Sequence, residues 1–154
     1  MSDFEAILQA YEAAGGNPEF LKSPTVGSLV ISGNQVLGLN AIPGLDVTAE
    51  PLPDGVKVDV RVADGARIEM PVHLCFGVVP AEGVQRILVD YEIGAGSAAE
   101  FQAHCTFPNA QRVQHIMQGT VHVGAKATMR YSEVHYHGEG GGIEVLPKLR
   151  IQVD

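Results

Sequence analysis

The run Glu133-Val134-His135-Tyr136-His137 places a carboxylate and two imidazoles at every second residue. On an extended strand, Glu133, His135 and His137 point the same way. Such a face can bind a transition metal, and Cys105, one repeat earlier, would add a soft sulfur ligand. Counting from Met129 and Tyr131 puts that face in the interior, where three titratable groups need partners or a metal. A one-residue bulge near Ser132 would instead turn Val134 and Tyr136 inward and leave Glu133, His135 and His137 in water. Both placements are open from the residues alone, and the bulge is the one favoured.

The other reactive types read more plainly. Cys105 follows the inward phase of Phe101 and Ala103, and a buried free cysteine usually packs as a small hydrophobe. His104 faces away from it and supplies no charge to make a thiolate. His115 shares the phase of Val113 and Met117 and reads as a hydrogen-bonded core histidine. Glu100 and Arg130 fall on the outer face as a weak surface ion pair. The Gly138-Glu139-Gly140-Gly141-Gly142 turn lacks the Gly-Lys-Ser/Thr ending of a phosphate loop. No nucleophile elbow or Ser–His–Asp order is visible.

These residues need an element that sets their direction, and a repeat provides it. Val56, Val58, Val60 and Val62 alternate with Lys57, Asp59 and Arg61, the mark of a strand with one buried face. The phase returns at Ile87, Val89, Tyr91 and Ile93, at Met117, Gly119, Val121 and Val123, and at Pro147, Leu149, Ile151 and Val153. The final members, Val62, Ile93, Val123 and Val153, lie 31, 30 and 30 residues apart. Ala63-Asp64-Gly65-Ala66, Gly94-Ala95-Gly96-Ser97 and Gly124-Ala125-Lys126-Ala127 fill one slot and suit a tight corner. Ile68, Ala99 and Met129 follow it, then Met70, Phe101 and Tyr131. The pattern predicts a mainly β, parallel β-helix of two-strand coils, each about 30 residues long. Its predicted columns are Leu74, Cys105, His135; then Phe76, Phe107, His137; and, on the other face, His73, His104, Val134.

Residues 1–22 read as a helical cap and residues 23–154 as the β-helix domain. Ser2 and Glu5 form a capping box. Phe4, Ile7, Leu8 and Tyr11 fall on one face, and Gly15 and Gly16 end the helix. An open solenoid end needs a cover, and this helix is the expected one. Asn17-Pro18, Ser23-Pro24, Ile42-Pro43-Gly44 and Leu52-Pro53-Asp54-Gly55 read as turns. Strands are expected at Leu29–Ile31 and Val36–Leu39, with their phase unassigned. The last copy of the alternating strand has no second half, so its free edge is expected to pair with another chain, giving an oligomer.

Composition excludes several classes. A net charge of −8 with no basic stripe argues against nucleic acid as a partner. No apolar run approaches membrane-spanning length. Two cysteines and an acidic start without an apolar leader point to a reducing cytoplasm.

The ordered set His104-Cys105-Thr106-Phe107-Pro108-Asn109-Ala110, Val113-Gln114-His115-Ile116-Met117, His122-Val123-Gly124-Ala125, Tyr131 to Gly138 and Gly141 to Lys148 resembles the SufB/SufD family of iron–sulfur cluster assembly proteins. The resemblance implies a right-handed parallel β-helix. It implies a non-enzymatic scaffold that works with a SufC-like ABC ATPase and a second SufB- or SufD-like chain, with iron or a transient iron–sulfur cluster as cargo. Family members are longer. Their ATPase-contacting helical segment and the Cys and His positions usually proposed for cluster assembly lie in a C-terminal part that this sequence lacks, so no family ligand is carried over. The chain then reads as a piece of a longer protein or a reduced member. Two other readings stand beside it: a cupin-like metal-dependent enzyme, suggested by His135-x-His137, and a ligand-free interaction module. Glu139 comes too early for the cupin pattern.

Overall fold

The computed structural model describes residues 1–154. Helix α1 (Asp3–Ala13) starts at the expected capping box: the Ser2 side chain accepts from the Glu5 N–H, and the Glu5 carboxylate accepts from the Ser2 N–H. Gly15, at φ +91°, turns the chain out of the helix. Asn17-Pro18 is not a free turn; Asn17 caps a short second helix, α2 (Pro18–Lys22), with Pro18 in the first turn, where a missing N–H is harmless. Ile7 and Tyr11 of α1 and Leu21 of α2 bury against Val30 and Cys75. The helix therefore lies along the outer face of a sheet rather than over a solenoid end.

Ten strands follow. β1 (Ser28–Ser32) and β2 (Gln35–Asn40) form one antiparallel hairpin, and β3 (Leu45–Leu52) and β4 (Gly55–Val62) form another across the Pro53-Asp54 turn. The remaining strands are β5 (Val72–Gly77), β6 (Glu82–Ile93), β7 (Ala98–Thr106), β8 (Arg112–Val123), β9 (Thr128–Tyr136) and β10 (Ile143–Val153). They build two five-stranded sheets, ordered β2-β1-β5-β7-β9 and β10-β8-β6-β4-β3. Apart from the two hairpins, every strand pair is parallel. The result is a β-solenoid of about three turns whose facing inner surfaces form a single core. No helix is long and apolar enough to cross a membrane.

The repeat register is the one the alternation predicts. Val62, Ile93, Val123 and Val153 are ladder neighbours, as are the three residues at alternate positions before each. The corners superpose too: Gly65, Gly96 and Lys126 occupy the left-handed region at φ +70°, +68° and +60°. Ile68 remains beside Ala99 because Arg67 bridges Ala98.

One stretch departs from the pattern. The partner of Phe101 is Val72, not Met70, which is 42% exposed. Residues Glu69–Pro71 bulge out of the coil, and Pro71 has no N–H to give a ladder. The excursion moves the predicted columns by two residues. The true columns are Leu74–Ala103–Glu133 and Phe76–Cys105–His135 inside, with Cys75–His104–Val134 outside. His73 stands beside Gln102 and Leu74 beside Ala103, so neither sits where the sequence put it. Phe107 does lie against His137, with ring centroids 6.0 Å apart, without Phe76.

Candidate metal centre

β7 and β9 pair without a break from Ala98↔Thr128 to Thr106↔Tyr136. The bulge favoured near Ser132 is absent. A bulge would spare Val134 a 41% exposure, but it would break a continuous parallel ladder to do so. The alternation from Tyr131 therefore continues inward through Glu133 and His135.

Those two residues meet Cys105 from the neighbouring strand. Cys105 Sγ, a Glu133 carboxylate oxygen and a His135 ring nitrogen all lie within 4.8 Å of one another. The Cys105 thiol donates to Glu133 Oε1 at 3.7 Å, and His135 Nε2 is hydrogen-bonded to the same oxygen. The Tyr131 hydroxyl donates to the other carboxylate oxygen at 2.8 Å. Cys105 is fully buried, whereas the Glu133 and His135 side chains are 21% and 27% exposed, so the group is accessible from the β9 side.

The electrostatics follow from the packing. Burial raises the Glu133 carboxyl, but hydrogen bonds from His135 and Tyr131 outweigh it, and the group lies below its ordinary value. Burial first, then the Glu133 charge, pushes the Cys105 thiol well above the usual range. In the metal-free protein Cys105 is thus a thiol, and a cation must replace its proton to gain the sulfur. A thiolate, a carboxylate and an imidazole suit a borderline or soft divalent ion such as ferrous iron or zinc.

His137 stands apart from this set. Its ring lies 6.2 Å from that of His135, beside Phe107, and its buried Nε2 has no partner. The other sequence-level readings divide. His115 is buried and hydrogen-bonded as expected, with Nδ1 2.9 Å from Gln85 Oε1. Burial lowers it to about 4, so its ring is neutral near pH 7. Glu100 and Arg130 are ladder neighbours but form no ion pair; Glu100 accepts from Gln102 instead. Tyr131, which orients Glu133, looks from the sequence like one more apolar position of its column. Its two-residue spacing from Glu133 on the same inward phase was the available signal.

Two curated proteins match nearly the whole chain. An iron–sulfur cluster assembly SufBD family protein of Pyrococcus horikoshii is 30% identical over 154 residues, all of this chain and 46% of that protein. Another of the same description, from Methanocaldococcus jannaschii, is 26% identical over 148 residues, 96% of this chain and 47% of its own. This chain is a relative of the SufBD family. It spans about half the length of these curated relatives. No family model and no solved structure matches it. The SufBD relationship covers the β7–β9 ladder, so Cys105, Glu133 and His135 lie within the shared region.

Proposed function

We propose that this chain is a β-solenoid component of iron–sulfur cluster assembly that holds iron through Cys105, Glu133 and His135. The observation that carries the reading is the convergence of these three donors from adjacent strands of the middle and last coils, in a chain related to SufBD proteins. The ladder fixes the direction of each side chain, so the donors are presented without reorganising the backbone. Iron is the cargo here, bound and passed on, and the chain acts as a scaffold rather than by turnover. The cupin alternative fits poorly, because parallel ladders do not make a jelly roll.

The partners we assign are a SufC-like ATPase and a SufB- or SufD-like chain. β9 and β10 are the last strands of their sheets, and β10 leaves Leu149, Ile151 and Val153 at 37%, 64% and 68% exposure. Unpaired edges beside exposed apolar side chains recruit strands, so these edges are where a further strand, from the rest of a longer chain or from another chain, is expected to pair.

The test is anaerobic reconstitution with iron and sulfide, followed by visible spectroscopy and metal analysis, on the wild type and a Cys105→Ala/His135→Ala variant. A charge-transfer band and bound iron in the wild type, both lost in the variant, are expected. Equal iron in both proteins, or none in either, would remove the site and leave a ligand-free interaction module. Co-purification with a SufC-like ATPase and a SufB/SufD-like chain tests the partners, and sedimentation across a concentration series tests oligomerisation.

A further inference from the structure

The buried His115 nitrogen that faces no partner has a fixed protonation state, and hydrogen bonding sets it. Gln85 Nε2 donates to two backbone carbonyls, Gly33 O at 2.9 Å and Gly77 O at 3.0 Å. Carbonyl oxygens only accept, so the amide cannot be flipped, and Gln85 Oε1 must face His115. His115 Nδ1 therefore carries the hydrogen and donates it to that oxygen at 2.9 Å. In the neutral ring Nε2 is then a bare lone pair. It is buried, in a residue with 0% exposure, and no protein atom donates to it.

A core histidine has little reason to be arranged in this way. A buried acceptor left unpaired carries a desolvation penalty, and Gln85 is itself a buried polar side chain anchored by two bonds. The arrangement is the one that metal-binding histidines use: the distal nitrogen donates to a fixed acceptor, which sets the tautomer and aims the other nitrogen at the ion. The His115 and His135 ring centroids are 6.3 Å apart and their planes nearly perpendicular, at 85°. β8 supplies His115 from the sheet facing β7 and β9, so it approaches the Cys105 group from across the core.

We propose that His115 Nε2 is a fourth ligand to the ion held by Cys105, Glu133 and His135. The inference rests on the metal-binding reading given above. His115 lies outside the set of donors that are mutually within 4.8 Å, so the site must contract on loading. His115 is anchored through Gln85, so the contraction falls to the Glu133 and His135 side chains on β9. Four donors (one thiolate, one carboxylate and two imidazoles) complete a tetrahedral shell for a divalent ion.

The experiment is a titration of the anaerobic, reduced, ¹⁵N-labelled chain with ¹¹³Cd²⁺ alone, read by imidazole ¹⁵N and ¹¹³Cd resonances. Direct ¹¹³Cd coupling to both His115 Nε2 and His135 Nε2 is expected. In the same titration His115→Gln should bind about 10–100-fold more weakly, and Gln85→Leu about tenfold more weakly. The wild-type spectrum stands even if a variant fails to fold. Coupling to His135 with His115 Nε2 keeping the shift of a bare nitrogen overturns the fourth ligand and leaves the three-donor site intact. No bound ¹¹³Cd²⁺ overturns the three-donor site, and this inference with it.

Discussion

The middle and last coils share one register and differ in what they point inward. Moving along the columns, Phe101 becomes Tyr131, Ala103 becomes Glu133 and Cys105 becomes His135. The first coil is apolar at the same places, with Val72, Leu74 and Phe76. A parallel ladder gives a side chain no choice of face. Chemistry is therefore installed by substitution along a column, in the coil built by β9, while the coils before it supply the core. The outer face of the same strands makes a second contrast. His73 and His104 are also buried there, but against Tyr11 and Phe20 of the helical segment, and His73 Nε2 and His104 Nδ1 have no hydrogen-bond partner. Imidazole burial alone does not make a site; converging anionic donors do.

The sharpest break of the comparison is mechanical. Phe101 is fully buried, so Phe101→Ala should destabilise the fold by about 3–5 kcal/mol in urea unfolding. Its column neighbour Tyr131 is half-buried, and Tyr131→Phe should change stability by only about 1 kcal/mol while loosening Glu133. Similar losses for the two substitutions would mean that the Tyr131 hydroxyl bond to Glu133 holds the last coil as firmly as a buried ring holds the middle one.

Acid tests the histidines next. His73, His104 and His115 are all lowered from their ordinary value, chiefly by burial. A lowered folded value means that the unfolded chain takes up protons first. Their contribution is complete above the unfolded value, roughly 6.5, and is lost as pH falls through the folded values, about 4 for His115. For His115 alone the difference is on the order of 3 kcal/mol. Urea midpoints should fall steadily between pH 7.5 and 4.5. A His73→Gln/His104→Gln variant should flatten part of that slope and leave metal binding unchanged. A flat profile in the wild type would contradict the buried, neutral state of all three.

Much of this arrangement was legible before the structure. The Val, Ile and Tyr alternation at 31 and 30 residues fixes the ladders from β4 to β10, and the small-residue corners mark where each coil bends. The Glu69–Pro71 excursion was hidden because Met70 continues the apolar pattern while pointing into solvent. The hairpins before residue 62 could not be phased because short apolar runs separated by Pro and Gly fit several pairings. At Glu133 the cost of burying charge favours a bulge when the segment is taken alone, but nine consecutive ladder pairs between β7 and β9 hold the strand in register. His115 was placed on the correct face, and only the Gln85 contact, which spans 30 residues, reveals its tautomer.

A further substitution separates stability from chemistry in the last coil. Glu133→Leu with His135→Leu would extend the apolar columns of the coils behind. Replacing a partly buried, hydrogen-bonded polar pair by apolar groups is often neutral or stabilising, here by up to about 2 kcal/mol. The double variant should therefore unfold at the same or higher urea concentration and bind no ¹¹³Cd²⁺. A large loss of stability would show that the polar group holds the coil together rather than serving a ligand.

The smallest expected effect concerns the corners. Gly65 and Gly96 take the left-handed conformation without penalty, but the last coil places Lys126 there at φ +60°. An L-residue pays roughly 1 kcal/mol in that region because its Cβ crowds the backbone. Lys126→Gly should recover about 0.5 kcal/mol or slightly more, since glycine's greater freedom in the unfolded chain offsets part of the gain. The same change leaves the metal site's donors untouched, and Cd²⁺ affinity should not move. If affinity did change with the corner, the geometry of Glu133 and His135 would be set by the strain at Lys126 and not by the ladder with β7. That would reverse the view that each coil positions its side chains through its neighbour.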